Sequence, residues 1–141
     1  MFANNSFEKR VKELANRSGL KLAEVSASRA KLLFTIGGHT QPLWILPYGT
    51  VWEFSCPSIV AVENTAELPQ PLLVSVLQIN ATNKRGFWCL EKLGGKEVLE
   101  YMHNVPESLL TPDEFERICR STVSEVEAFE QACLSLVRQL A

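Results

Sequence analysis

A chain of 141 residues has the size of one ordinary domain and can bury a hydrophobic core without metal or disulfide staples. Its 46% apolar and 21% charged residues exclude a largely disordered protein. A formal net charge of -2 gives no concentrated positive surface, so neither nucleic acid nor anionic lipid is an expected partner. The polar start MFANNSFEKRVKELANRSG lacks a signal-peptide apolar core, and no later apolar run approaches a membrane span; a cytoplasmic protein is expected. Cys56, Cys89, Cys119 and Cys133 are widely spaced and form no CxxC pair, which points to reduced, mostly buried thiols.

From Ser6 to Arg17, Phe7, Val11 and Leu14 recur at helical spacing, and Ser18-Gly19 supplies a stop. The region Leu20 to Val62 is rich in β-favouring runs broken by GGHT and PYG, and predicts three or four antiparallel strands. Trp44 and Trp52 fit a half-buried sheet there. Pro69 and Pro71 suit a helix entrance; Leu72, Leu73, Val76 and Leu77 form its apolar face, and Asn80 is a candidate cap at its end.

The runs GFWCLEK and EVLEYMHNV flank LGG, where glycine takes the positive φ of a tight reversal. Gly94-Gly95-Lys96 therefore reads as a hairpin turn and not as a phosphate loop, which would open into a helix. Phe87 and Cys89 share one face and Trp88 and Leu90 the other, so a central strand is predicted. Thr111-Pro112-Asp113-Glu114 predicts a capping box, with Glu114 reaching back to the Thr111 N–H. Phe115, Cys119, Thr122, Val126, Phe129, Cys133, Leu136 and Leu140 then mark one apolar stripe, flanked by Glu116, Glu125, Glu127 and Glu130. A helix unbroken from 112 to 140 spans about 43 Å. Such a helix either lies diagonally across the sheet or projects, and a projecting apolar end favours a homodimer.

Chemistry-bearing patterns are sparse. His39 and His103 stand at no recognisable ligand spacing, so no metal and no cofactor is predicted. A turn centred on residues 94 and 95 pairs Cys89 with position 100 and leaves His103 offset, which weakens a cysteine–histidine nucleophile. Glu53, Glu91 and Glu100 would need to share a cleft for acid–base work, and otherwise sit on a solvated sheet face. Asn83-Lys84-Arg85 is a short basic turn.

A Leu-rich helix ending in Asn80, then GFW, a hairpin, LLTPDEF and a long helix carrying EVEAFE together resemble the C-terminal half of YbjN-like proteins and the wider type III secretion chaperone-like fold. Similar cyanobacterial-type proteins of unknown function add a strand like VWEFSCPS, Val51 to Ser58. The resemblance implies an α+β fold with an antiparallel sheet packed against helices in the order α-β-β-β(-β)-α-β-β-α. It also implies a small acidic homodimer that holds a protein partner, or a regulatory role, and no catalytic residues. The resulting expectation is a non-enzymatic protein-binding module, chaperone-like or a regulatory adaptor. Trp44, Trp52, Trp88, Phe129 and Leu136 are its candidate partner contacts. The alternative is a small-ligand-binding protein or enzyme with a pocket near Trp88, Cys89 and His103.

Overall fold

In the computed structural model, which describes residues 2–140, the β-favouring runs pair into one sheet and the 3.6-period runs form three helices. The elements are α1 (Phe2–Ser18), β1 (Leu22–Val25), β2 (Ala30–Ile36), β3 (His39–Tyr48), β4 (Val51–Val62), α2 (Gln70–Thr82), β5 (Phe87–Leu93), β6 (Lys96–Pro106) and α3 (Pro112–Leu140). The strands lie in the order β1-β2-β3-β4-β6-β5, each antiparallel to its neighbours. The predicted element order holds, with the optional fourth strand present before α2.

All three helices cover the same face of the sheet. α3 crosses β3, β4 and β6, α1 packs on α3 and β1, and α2 packs on β5. Period-two alternation sends Leu32, Leu43, Ile45, Trp52 and Phe54 to that side, where they join Val11, Val76, Phe115 and Val126 in one core. Edge-to-face contacts of Phe7 with Trp52 at 5.0 Å and of Phe54 with Phe115 at 5.7 Å tie α1 and α3 to β4. Each such pair contributes about 0.5–1.5 kcal/mol beyond its buried area.

The β5–β6 hairpin forms as predicted, with Gly94 and Gly95 at φ of 56° and 83°. β5, however, is an edge strand, not a central one. Its two-sided apolar pattern reflects different cover on each face: Trp88 packs under the helices, while Cys89 on the other face lies opposite Glu100 of β6. Asn80 is also not the helix cap, because α2 runs on to Thr82. Its amide instead clamps the next strand, donating to Trp88 O at 2.9 Å and accepting from Trp88 N at 2.6 Å. The Asn83 carboxamide oxygen then accepts from the N–H groups of Arg85 and Gly86. The basic turn Asn83-Lys84-Arg85 thus has a backbone role. Gly86 is required there, since a β-carbon would collide with the Tyr101 ring.

At the start of α3, Thr111 Oγ1 accepts from Glu114 N at 3.1 Å, but the Glu114 carboxylate turns to Arg117, so only half of the predicted box forms. A reciprocal box occurs instead at Asn64 and Glu67. Glu127 and Glu130, expected as flanking charges, are buried. Glu130 accepts from Gln41 Nε2 at 2.6 Å and from Ile59 N at 2.7 Å. Glu127 contacts His39 Nε2 at 2.6 Å and accepts from Gln131 Nε2 at 2.8 Å. Past Glu130 the helix leaves the sheet, with Leu134 38% and Leu136 60% exposed.

Candidate functional site

The sheet face that carries no helix holds a groove of about 350 Å³. It crosses β3, β4, β6 and β5. The register places Trp44 opposite Ser55, Leu46 opposite Glu53, Pro57 opposite Glu100, and Glu100 opposite Cys89, so alternate residues of four strands line one concavity. Trp44, Leu46, Tyr48 and Leu93 give it apolar and aromatic walls, and Glu53, Glu91 and Glu100 give it an acidic floor. Among the described residues Arg29 is the basic residue of the lining; it pairs with Glu24 at 3.7 Å and lies 5.4 Å from the centre of the Trp44 ring. Lys31 Nζ lies 5.1 Å from the same ring centre, so Trp44 carries two cations on its faces.

The carboxylates raise one another's proton affinity. Burial, and then a hydrogen bond and charge from Glu91 with added charge from Glu53, push Glu100 up to about 8. Burial followed by the Glu91 charge raises Glu53, and Glu53 followed by burial raises Tyr48. Burial, then Glu100, Glu91 and Glu53, push the Cys89 thiol up to about 12. Each of these shifts disfavours negative charge on the group concerned. It also makes Cys89 a poor nucleophile at neutral pH, since only the thiolate attacks.

The sequence-predicted contacts separate in space. Trp52 is 1% exposed and Trp88 4% exposed, both in the core under the helices, so neither can meet a partner without unfolding. Phe129 packs on Trp88 with ring centres 4.4 Å apart. Trp44 lines the groove and Leu136 stands on the projecting part of α3. Trp88, Cys89 and His103 do not form a pocket: Cys89 faces the groove, whereas Trp88 and His103 lie on the helix side, where Trp88 pairs with Tyr101 and His103 with Phe54. Burial, helped by Arg85 and opposed by Glu114, lowers the His103 pKa.

Glu53, Glu91 and Glu100 do share a cleft. Their juxtaposition was partly legible, because the turn at residues 94 and 95 already sets Cys89 beside position 100. Two donor groups among the described residues are compact enough to hold an ion: His39 with Glu127 and Glu130, and Cys89 with Glu91 and Glu100. No local spacing motif announces them, since each draws ligands from different elements. In the first, burial pushes Glu127 up, but hydrogen bonds from Gln131 and Gln41 and the His39 contact outweigh it and leave the pKa lowered. That group is an internally satisfied clamp between α3 and the sheet.

No family model matches the sequence, and no curated protein matches it. Among solved structures, the crystal structure of YbjN from E. coli, described as a putative transcription regulator, matches with a TM-score of 0.62 at 15% identity. The match covers 89% of this chain and 90% of that one. The helix-backed six-stranded antiparallel sheet is therefore a YbjN-like α+β fold.

Proposed function

We propose that the chain is a non-catalytic protein-binding module, a chaperone-like or regulatory adaptor, which takes an extended basic segment of a partner protein across the open face of its sheet. The groove is the observation that carries this reading. Its aromatic walls suit the alkyl stem of a lysine or arginine, and Glu53 and Glu91 stand where the charged head would emerge. The description of YbjN as a regulator agrees with an adaptor role, by analogy of fold alone. A non-catalytic role is favoured by the protonated state of Cys89 and by its separation from His103.

A library of ten-residue peptides titrated against the full chain, read by the fluorescence of half-buried Trp44, should select segments that alternate apolar and basic residues. The double change Trp44→Ala with Glu53→Gln should weaken the best of them at least about tenfold, or about 1.4 kcal/mol. Leu77→Ala, on the exposed side of α2, should leave binding unchanged. Equal binding of acidic and basic peptides, or indifference to the double change, would discard this reading.

A second reading, homodimerisation, rests on the exposed Leu134 and Leu136 beyond the sheet. Sedimentation should then show a dimer that Leu136→Asp dissociates. A parent chain that stays monomeric across the micromolar range would remove it.

A further inference from the structure

Three potential ligands converge at one end of the groove floor with no cation among them. Cys89 and Glu91 are two residues apart on β5, so their side chains leave the same face, and Glu100 is the cross-strand partner of Cys89 on β6. The Cys89 thiol lies 3.8 Å from Glu100 Oε1, and one donor atom from each of the three residues falls within 4.8 Å of the others. Zinc-to-sulfur and zinc-to-carboxylate bonds of about 2.3 Å and about 2.0–2.2 Å place two tetrahedral ligands about 3.5 Å apart. The observed spacing therefore needs only small side-chain rotations to close on an ion.

A separate observation points to a ligand. Glu100 is 3% exposed and lines the groove, yet among the described residues no basic side chain and no N–H hydrogen-bonds to its carboxyl; its partners are the Cys89 thiol and the Glu91 carboxyl, both members of the same group. Glu130, buried to the same degree at 4%, is held by an amide and a backbone N–H. The fold thus holds one buried carboxyl with N–H donors and leaves the other against a thiol and a second carboxyl at the groove, an arrangement whose like-charge repulsion an entering cation would relieve.

We propose that Cys89, Glu91 and Glu100 form a binding site for a divalent transition-metal ion of the zinc class, with a fourth position open to the groove. A thiolate in the ligand set selects such an ion over magnesium or calcium. As the ion enters, the thiol proton and any proton held by Glu100 pass to solvent, and the metal charge neutralises the repulsion among the three groups. Two hydrogen-bonded strands supply a rigid frame for the site. The site does not depend on the peptide-docking reading: the open position takes water or a donor from whatever lies in the groove.

The test is a cobalt(II) titration of the metal-free full chain followed by absorbance. One equivalent should produce a near-ultraviolet thiolate-to-cobalt charge-transfer band, and zinc(II) should bleach it stoichiometrically. Cys89→Ser should abolish the band, and the nearly isosteric Glu100→Gln should weaken cobalt binding at least tenfold with an unchanged circular dichroism spectrum. Cys133→Ser and His39→Ala, which remove the other half-buried thiol and the second donor group, should leave it intact. A folded parent chain with no band, or a band that survives Cys89→Ser or vanishes in either control, would overturn the site.

Discussion

Trp88→Ala should destabilise the fold by about 3–5 kcal/mol, the range of aromatic truncations in a well-packed core. The indole stands where four elements meet. It makes an edge contact with Tyr101 of β6 at 5.5 Å and a tilted contact with Phe129 of α3 at 4.4 Å, while its backbone is held at both N–H and C=O by Asn80 of α2. β5 is an edge strand with β6 as its sheet neighbour, so the Trp88 ring is a main anchor of the β5–α2 corner to the rest of the core. Urea unfolding checks this directly: the midpoint should fall while the slope stays near that of the parent, because the surface exposed on unfolding barely changes. Trp44→Ala provides the contrast. That ring lies on the helix-free face outside the core cluster, and its loss should cost less than about 1 kcal/mol. Equal losses for the two tryptophans would contradict the assignment of faces.

The same pair shows what the sequence could and could not convey. Period-two alternation places Trp44 and Trp52 on opposite faces of adjacent strands, and it places Trp88 opposite in sense to Cys89. Alternation does not say which face receives the helices. α1, α2 and α3 each carry an apolar stripe that fits either side of a sheet, and the choice is made by the chain connections and by the summed packing of the three. That is why Trp52 and Trp88, plausible partner contacts from sequence, belong to the core. For the same reason Glu53, Glu91 and Glu100 looked like separate surface charges. Their shared cleft needs the β4–β6 pairing, a long-range contact that no local motif encodes. Asn80 and Glu130 failed to follow their local pattern because tertiary partners, the Trp88 backbone and the Gln41 amide, outcompeted capping and solvent. The elements fixed by short-range chemistry did appear where expected: the α1 stop at Gly19, the Gly94-Gly95 turn and the Thr111 cap.

Glu100→Gln, the second large effect, should stabilise the metal-free protein. The folded-state pKa of Glu100, about 8, lies above the unfolded value near about 4.3. Between those limits the native chain keeps a proton that the unfolded chain releases, so native stability falls as pH rises through this window and levels off above the folded value. Below the unfolded value both states are protonated and the penalty vanishes. Glutamine removes this penalty and keeps the shape. Its advantage should therefore be absent near pH 4, grow through neutrality and reach about 2 kcal/mol by pH 8 to 9, a figure reduced for water entering the open groove and for Glu91 turning away. Glu53 is shifted in the same direction, so the variant should retain a shallower pH slope. Thermal or urea unfolding from pH 4 to pH 9 measures the difference, and a variant less stable than the parent at pH 8 would refute it. Saturating zinc should invert the order. A ligand at 100 times its Kd adds about 2.7 kcal/mol to the chain that binds it and little to the chain whose site is damaged. A buried carboxyl without a cationic partner that weakens the empty protein and strengthens the loaded one separates a ligand site from a packing defect, because a packing defect would respond to glutamine and remain indifferent to the metal.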